Sequence, residues 1–313
     1  MKVAVTGGAG YIGSTLIRSL VSQGHEVVSI DNLRLGDYRY LKEINGGEKL
    51  ELRVGDIRDE NALIESFRGA DAVAHLAALP GLLLCDEKPE EAISVNVYGT
   101  HRVLEAARKM GIKRVVFCSS AATYGAPTII PVSEDHKQRP LNLYGVTKLT
   151  NEKQLETFYD NYGMETVSLR FGNVYGVGVY THWTTVIPKF IKMGLEGKSL
   201  TVYGDGMSSR DFVHVEDISQ ALTLGITVPG VGGEAFNVGS EPTTIGNVAD
   251  IVAYEVEAAT SKKVEIVYSP PRLGETKEFT YNLAKIKTRL GFKPKWNIRE
   301  GIKQIIKYKV KTG

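Results

Sequence analysis

The first thirty-one residues constrain the fold more than any other part of the chain. Residues 2–6 form a short apolar run that predicts a buried strand, and residues 26–30 predict a second one. Between them lie a glycine-rich turn and an amphipathic helical pattern that ends near Gly24. A strand, a turn, a helix and a strand in this order predict a βαβ unit with two parallel strands.

Three glycines in that turn indicate phosphate binding. Gly7, Gly10 and Gly13 are spaced three residues apart, directly after the first strand. The first two permit a tight turn and close approach of a pyrophosphate to the backbone, and the third permits close helix packing. Because phosphates bind at helix N-termini, Tyr11 and Ile12 are also expected to border the bound dinucleotide.

The end of the second strand predicts which dinucleotide is bound. Asp31 stands there, followed by Asn32. A carboxylate at this position accepts hydrogen bonds from both ribose hydroxyls and repels a 2′-phosphate, so NAD is favoured over NADP. Arg34 lies nearby and would attract a 2′-phosphate instead. The alternative is that Asp31 and Asn32 only begin a turn.

Strand and helix patterns alternate through the first half of the chain. Further strands are expected at residues 50–54, 71–78, 113–118 and 165–170, and helices at 61–67, 89–110 and 144–162. This rhythm predicts an α/β fold with a Rossmann doubly wound parallel sheet and a smaller α/β C-terminal substrate lobe. We expect a nucleotide-binding domain at 1–172, with a returning segment near 213–240, and a substrate lobe at 173–313.

Composition excludes several other classes of protein. The 313 residues carry a net charge of +2 without a Lys/Arg block, which disfavours nucleic acid and membrane surfaces as partners. Cys85 and Cys118 lie far apart without metal-ligand spacing, so neither a disulfide framework nor a metal site is expected. No signal peptide or membrane span is recognisable, and the expected location is the cytoplasm.

Tyr144 and Lys148 are the candidate reactive pair. They lie four residues apart in a helical pattern and therefore share one face of a helix. A free phenol has a pKa of about 10, and a nearby cation is expected to lower it, which would make Tyr144 a general base. The alternative is an ordinary surface helix. Ser120, at the end of the fifth strand, is placed to bond a substrate hydroxyl, although Ser119 and Thr123 compete for that role.

The motifs together resemble the extended short-chain dehydrogenase/reductase superfamily, in its nucleotide-sugar epimerase/dehydratase branch. In chain order they are Gly7-x-x-Gly10-x-x-Gly13, Asp31, Ser120, Tyr144-x-x-x-Lys148, Asn173 and Arg210. The resemblance covers essentially the whole chain. It implies a Rossmann domain that holds NAD and a lobe that holds a nucleoside-diphosphate sugar.

The resemblance also implies a role for each matching residue. Tyr144 would be the base, Lys148 its activator and a ligand of the nicotinamide ribose, and Ser120 the hydroxyl partner. The further cofactor contacts expected along the chain are Asp56, Ile57, Leu76, Ala77, Ala78, Asn96 and Ser119. The expected substrate contacts, besides Ser120 and Tyr144, are Asn173, Arg210, Arg272 and Phe279.

Two positions narrow the implied reaction. Dehydratases of this branch carry an acidic pair after the residue matching Ser120, and decarboxylases carry Glu at the second of these positions. Ala121 and Ala122 stand there in this chain and cannot transfer a proton. The resemblance therefore implies 4-epimerisation of a UDP-hexose through a transient 4-keto sugar and NADH. Phe279, at a position that limits the C2 substituent, favours UDP-glucose and UDP-galactose.

Several alternatives stay open. The same branch contains 4-epimerases of UDP-N-acetylglucosamine and UDP-glucuronate as well as 4,6-dehydratases, and the apolar residues 79–85 depart from the polar segment usual there. A non-catalytic NAD-sensing regulator is a remote alternative. Such proteins often lose the Tyr/Lys pair, whereas Tyr144, Lys148 and Ser120 are all present in this chain. The resemblance also implies a homodimer formed through the helices at 89–110 and 144–162.

Overall fold

A computed structural model describes residues 1–42, 44, 49–178, 185–271 and 278–312. The strands are β1 Lys2–Thr6, β2 Glu26–Asp31, β3 Leu50–Val54, β4 Ala72–His75, β5 Arg114–Ser120, β6 Glu165–Phe171, β7 Asn173–Tyr175, β8 Leu200–Tyr203, β9 Ser209–His214, β10 Glu234–Val238, β11 Glu241–Thr244 and β12 Ile266–Ser269. The helices are α1 Tyr11–Ser22, α2 Arg39–Lys42, α3 Glu60–Phe67, α4 Leu82–Glu87, α5 Pro89–Ala92, α6 Gly99–Lys109, α7 Leu143–Tyr162, α8 Val186–Leu195, α9 Val215–Thr227, α10 Ile245–Thr260, α11 Ala284–Arg289 and α12 Ile298–Thr312.

The predicted doubly wound sheet is present. Seven strands pair in the order β3-β2-β1-β4-β5-β6-β10, and every pairing in this sheet is parallel. The strand order reverses between β1 and β4, and ligands bind at such a switch point, beyond the carboxyl ends of the strands. All the carboxyl ends lie at one edge, so the glycine turn and the ends of β2, β4 and β5 lie close together.

The buried strands explain why the chain forms this sheet. Val3, Ala4 and Val5 of β1 are fully buried. Val3 and Val5 pack in the apolar layer that contains helices α1 and α9, whereas Ala4 packs in the layer formed by α3, α6 and the end of α7. Successive side chains of a strand point to opposite faces, so an unbroken apolar run requires helices on both faces.

A second set of elements forms smaller sheets. Strands β11, β9 and β7 form a three-stranded sheet, and β12 pairs with β8. A separate apolar cluster joins α8, α10 and α12 to these strands. Asp211 of β9 is buried and accepts hydrogen bonds from the backbone N–H groups of Ser240 at 2.7 Å and Tyr281 at 3.1 Å. The division into domains at residue 172 stays a prediction, and β10 lies in the central sheet.

Some elements differ in detail from the expectations. Helix α4, which begins at Leu82 within the apolar residues 79–85, was not expected. The expected helix 89–110 is present but contains a π-helical stretch, Ile93–Tyr98, between α5 and α6. The expected helix 144–162 begins one residue earlier, at Leu143, and a helix of 15 residues, α12, ends the described chain. Among the residues described, no helix is long and apolar enough to cross a membrane.

Replacing Phe236 tests whether β10 is an integral strand of the central sheet. Its side chain is fully buried, so Phe236→Ala should lower the free energy of unfolding by about 3–5 kcal/mol in urea denaturation. The matched control is Val54→Ala, at an exposed position of edge strand β3, which should change it by less than about 0.5 kcal/mol. A loss below about 1 kcal/mol for Phe236→Ala would mean that β10 does not contribute to the core.

Candidate active site

The turn after β1 is shaped to hold a pyrophosphate. Gly7 has a positive φ of 74°, and a Cβ atom there would lie 2.6 Å from the backbone nitrogen of Ala77. A Cβ on Gly13 would lie 2.2 Å from the carbonyl oxygen of Gly7. Gly10 precedes α1 without any side-chain cap, and the Tyr11 hydroxyl donates to the carbonyl of Gly176 at 2.9 Å. The close-packed turn and the uncapped helix N-terminus fit a dinucleotide. Ile12 follows in the first turn of α1.

Asp31 is fixed at the end of β2. Its carboxylate accepts hydrogen bonds from the backbone N–H of Ala9 at 3.1 Å and of Leu33 at 2.8 Å. Partial burial raises the pKa of this carboxyl group, and the two hydrogen bonds act in the opposite direction. Arg34, which would favour a 2′-phosphate, forms an ion pair with Glu91. This arrangement fits NAD better than NADP.

The predicted adenine-side residues lie at the end of β3. The Asn32 amide donates to the Asp56 carboxylate at 3.3 Å. Arg58 donates to the same carboxylate at 2.8 and 2.7 Å, and these bonds are the main reason that the pKa of Asp56 is lowered to about 2. The Ile57 side chain is buried, and a Cβ on Gly99 would lie 2.6 Å from its Cδ1 atom. Their contacts with adenine stay predictions.

The beginning of α7 is held close to the end of β5. The Asn142 side chain caps the helix by accepting a hydrogen bond from the backbone N–H of Gly145 at 2.8 Å. A Cβ on Gly145 would lie 2.5 Å from the carbonyl oxygen of Ala122, so only glycine permits this contact. The close approach brings the Tyr144 phenol beside the Ser120 hydroxyl, which acts to lower the pKa of the phenol.

Three hydroxyl groups competed for the role beside the phenol, and the structure distinguishes them. The Ser120 hydroxyl lies near enough to Tyr144 to act on the pKa of the phenol. Ser119 donates instead to the Glu152 carboxylate, and Thr123 donates to the carbonyl oxygen of Ser120 at 3.0 Å. Ser120 is therefore the hydroxyl positioned to act with Tyr144.

Lys148 lies in the pocket behind Tyr144. It is only 3% exposed, and its Nζ donates to the carbonyl oxygen of Cys118 at 2.7 Å. The same nitrogen lies 4.7 Å from the ring centroid of Phe117 and 5.6 Å from that of Tyr144. Burial lowers the pKa of Lys148 to about 8. The predicted juxtaposition of phenol and ammonium is therefore present.

The Tyr144 pKa was expected to be lowered, and this expectation is wrong. Burial raises that pKa above its ordinary value, and the neighbouring Ser120 hydroxyl opposes this shift without reversing it. The Lys148 ammonium donates to the Cys118 carbonyl on β5. The sequence shows that Tyr144 and Lys148 share a helix face, but it shows neither the burial of the phenol nor the bond of the ammonium to a backbone carbonyl.

Residues after β4 line the side of the turn opposite Gly7. Leu76 donates its N–H to the carbonyl of Thr6 at 3.1 Å, and Ala77 donates to the Thr6 hydroxyl at 3.3 Å. Ala78 follows in the same turn. His75 is buried between the Thr6 and Thr100 hydroxyls, at 2.7 and 2.9 Å, and burial lowers its pKa to about 3. The imidazole of His75 is therefore neutral, and its role is structural.

Asn96 connects the helices around the site. Its amide oxygen accepts from the backbone N–H of Leu79 at 2.7 Å, and its nitrogen donates to the Leu79 carbonyl at 3.1 Å and to the Thr147 hydroxyl at 3.2 Å. The residue is buried. These contacts join the π-helical stretch to α7 and to Leu79, three residues before α4, and a contact of Asn96 with the cofactor stays a prediction.

The predicted substrate residues lie mainly on the three-stranded sheet. Asn173 is exposed and pairs with Phe212 of β9, two residues beyond Arg210. The Arg210 guanidinium is half-buried and donates to the Ser209 carbonyl at 2.7 Å. Asn173 and Arg210 thus lie on adjacent strands of one small sheet, where the cation can face a phosphate.

The other two predicted substrate residues have different outcomes. Phe279 is buried, with its ring centroid 5.1 Å from that of Tyr281 and 6.4 Å from that of Tyr124. Its expected effect on the sugar therefore depends on a ring that packs within an aromatic cluster. Arg272 lies outside the described residues.

Sequence reasoning missed the buried ion pair of Glu152 and Arg170 beneath the site. Arg170 donates to the Glu152 carboxylate from Nε at 3.0 Å and from Nη2 at 2.7 Å. Glu152 follows Lys148 by four residues, so helical periodicity already places it on the reactive face of α7. Nothing in the local sequence identifies Arg170 as its partner.

The chain is similar to known proteins over almost its whole length. Residues 3–239 match the NAD dependent epimerase/dehydratase family. The UDP-glucose 4-epimerase of Mycolicibacterium smegmatis is 32% identical over 98% of each chain. The UDP-N-acetyl-alpha-D-glucosaminuronate decarboxylase of Bacillus cytotoxicus is 34% identical over 98% of this chain and 97% of its own. The solved UDP-N-acetylglucosamine 4-epimerase of Methanobrevibacter ruminantium is 30% identical with a TM-score of 0.90, over 100% of this chain and 99% of its own.

The chain therefore belongs to the NAD dependent epimerase/dehydratase family. It is an NAD-dependent enzyme of this family, and the relatives named above are epimerases and a decarboxylase of nucleotide sugars. The glycine turn and Asp31 fit NAD, as described above. The relatives act on different sugars, so membership of the family leaves the particular substrate open.

Removing the carboxylate of Asp31 should weaken NAD binding. Asp31→Ala eliminates the predicted acceptor for the ribose hydroxyls, and hydrogen bonds to charged groups contribute about 1.5–3 kcal/mol. The dissociation constant should therefore rise by about 10- to 100-fold in calorimetry. Asp71→Ala is the matched control. Its carboxylate accepts from the backbone N–H of Lys2 at 2.7 Å, at the opposite end of β1. Equal affinities for NAD in the two variants would contradict the assignment.

Proposed function

We propose that this protein is a UDP-glucose 4-epimerase, which interconverts UDP-glucose and UDP-galactose. The observation that carries the proposal is the packing of α7 on the carboxyl end of β5, which places Tyr144 beside Ser120 and buries Lys148 behind them. A phenolate with a hydroxyl and an ammonium beside it can remove a proton from a sugar hydroxyl and, as the phenol, return it.

Each of the three residues has a separate task. Tyr144 accepts the proton of the sugar O4 hydroxyl, either directly or through Ser120, and gives it back when the hydroxyl forms again. Lys148 stabilises the phenolate while it exists. Bound NAD supplies the hydride acceptor and donor for C4. Arg210 holds the diphosphate, because a guanidinium suits phosphate oxygens. The 4-keto sugar can then turn about its diphosphate linkage and expose its other face.

The residues that follow Ser120 support epimerisation over elimination. Ala121 and Ala122 lie in a short 3₁₀ turn directly after it, and Ala122 N–H donates to the Ser120 hydroxyl oxygen at 3.2 Å. Neither methyl group can protonate a leaving hydroxyl. A 4,6-dehydratase would need another acid at this position, and the decarboxylases of the branch carry Glu where Ala122 stands.

The identity of the sugar depends on fewer observations. Phe279 supports a glucose/galactose pair through its bulk, although its ring packs against Tyr281 and Tyr124. The solved relative that is a UDP-N-acetylglucosamine 4-epimerase favours the N-acetylated sugar as the second candidate. Both candidates use the same Tyr144, Lys148 and Ser120.

Proton NMR of the purified protein with NAD and each UDP-sugar in turn tests the proposal. UDP-galactose should convert to a mixture with UDP-glucose. Conversion of UDP-N-acetylglucosamine alone would select the second candidate. Absence of turnover of any sugar, together with NAD-dependent binding of a partner protein, would favour the regulator.

Replacing Tyr144 should separate chemistry from binding. Tyr144→Phe removes only the hydroxyl, so turnover should fall by about 10²–10⁴-fold while NAD affinity stays within about twofold. The matched control is Tyr162→Phe, at an exposed position at the other end of α7, which should retain wild-type turnover. Near-wild-type turnover of Tyr144→Phe would show that the base is another residue.

We also propose that two copies associate through α5–α6 and α7. Ile93 and Tyr98 of the π-helical stretch between α5 and α6, Val146 of α7 and Leu83 of the neighbouring α4 expose large apolar side chains, at 51%, 50%, 44% and 74%. An exposed apolar patch of this kind is typical of an interface between copies.

A charge in this patch should weaken the dimer. Tyr98→Glu would bury a carboxylate in an apolar interface, so sedimentation equilibrium should show a shift from dimer to monomer, with the dissociation constant increased by at least about tenfold. Val267→Glu, at an exposed position of β12, is the control and should stay dimeric. A monomeric wild type would contradict the proposal.

A further inference from the structure

Glu152 binds more partners than a simple ion pair would need. Its side chain is 2% exposed and that of Arg170 is 4% exposed. One carboxylate oxygen accepts from Ser119 and from Arg170 Nε, and the other accepts from Arg170 Nη2 at 2.7 Å and from the Gln138 amide at 2.8 Å. Both oxygens are therefore saturated, and this is the condition under which a buried carboxylate is held in one position.

The position of Glu152 links the two elements that make the site. It follows Tyr144 by eight residues and Lys148 by four, so all three lie on one face of α7. Its partner Ser119 lies between Cys118, whose carbonyl accepts from Lys148, and Ser120, whose hydroxyl lies beside the Tyr144 phenol. One carboxylate thus fixes the end of β5 against the helix that carries the base.

The groups around Lys148 leave few charges to balance its ammonium. His75 on β4 is neutral because burial lowers its pKa to about 3, and burial raises the pKa of Cys118 to about 12 and also raises that of Cys85 on α4. The phenols of Tyr144, Tyr124 and Tyr281 have raised pKa values, chiefly through burial. Glu134 accepts from the backbone N–H of Asn237 at 2.8 Å. The charged groups on the shared face are Lys148, Glu152 and, from β6, Arg170.

We propose that Glu152 is a positioning residue for the reaction, which keeps Lys148 charged and holds Ser119 and Ser120 in line with Tyr144. Glu152 does not touch the reacting atoms in this role. The expected effect of Glu152 variants on turnover rests on the proposed epimerase function, whereas their effect on the titration of Lys148 does not.

Removing the carboxylate would leave two buried cations without an anion. Arg170 cannot lose its proton, because a guanidinium stays charged in proteins. Lys148, whose pKa burial has already lowered to about 8, would therefore lose its proton more easily. With less negative charge nearby, Lys148 loses its proton at a lower pH. The loss of turnover on the alkaline side of the pH profile should therefore begin at a lower pH as well.

NMR of protein labelled with carbon-13 at lysine Cε tests this without turnover. The Lys148 resonance is assigned by its loss in Lys148→Met. In Glu152→Gln the titration midpoint of Lys148 should fall by about one pH unit. The alkaline limb of the pH–turnover profile should move to lower pH by the same amount. An unchanged midpoint with lower thermal stability would reduce Glu152 to a structural role and overturn the proposal.

Glu165→Gln is the matched control for Glu152→Gln. Glu165 accepts from Arg114 at 2.7 Å. The two residues begin the neighbouring strands β6 and β5, at the end of the sheet away from the site. This variant breaks a carboxylate–guanidinium pair in the same sheet and should leave the Lys148 midpoint in place. An equal shift in both variants would show a general response to weakened folding and would contradict the assignment.

The double variant Glu152→Leu with Arg170→Met keeps the test decisive if Glu152→Gln does not fold. Replacing a buried ion pair by apolar residues of similar volume is often neutral for stability. Because both charges are removed together, the Lys148 midpoint should return towards the wild-type value, but Ser119 still lacks its acceptor. Turnover should therefore stay at least about tenfold below wild type, and full recovery would contradict the positioning role.

If the wild type converts no nucleotide sugar, the proposed function fails, and the Lys148 titration still decides this proposal.

Discussion

The hydrogen bond from the Lys148 ammonium to the carbonyl oxygen of Cys118 is the contact on which the site depends. It joins α7 to the carboxyl end of β5 and holds a cation where water scarcely reaches. The helix must approach very closely for this bond to form, and Gly145 permits that approach beside Ala122. Tyr144 and Ser120 meet as a consequence of the same packing. The reactive geometry is therefore a property of how one helix packs on one strand.

The parallel sheet explains why the remaining parts of the site converge on this point. Every strand of the central sheet runs in one direction, so the turn after β1, Asp31 and the end of β5 lie along one edge. A dinucleotide that lies across the switch point can contact all three. Strand β10 extends the same sheet, and Asp211 connects its end to β9 by accepting the N–H of Ser240. The lobe that carries Arg210 is thus fixed to the sheet by buried polar contacts.

Sequence reasoning recovered the features that depend on local pattern. Alternating apolar runs predicted the doubly wound sheet, and the spacing of Gly7, Gly10 and Gly13 predicted the turn. The sequence could not show contacts made by residues far apart in the chain. The bonds of Glu152 to Arg170 and of Lys148 to Cys118 join separate elements. Burial of the phenol raises the Tyr144 pKa where a lowered one was expected, and local pattern does not show that burial. Helix α4 was not predicted from the apolar residues 79–85.

In the proposed reaction, C4 of the sugar loses and regains its own hydrogen while Tyr144 accepts and returns the O4 proton. UDP-galactose that carries deuterium at C4 tests this most directly, with proton NMR of the UDP-glucose formed in ordinary water. Retention of deuterium at C4 in the product is the predicted result, because the hydride never exchanges with solvent. Replacement of that deuterium by solvent hydrogen would contradict the proposal, since it would require removal of the C4 hydrogen as a proton.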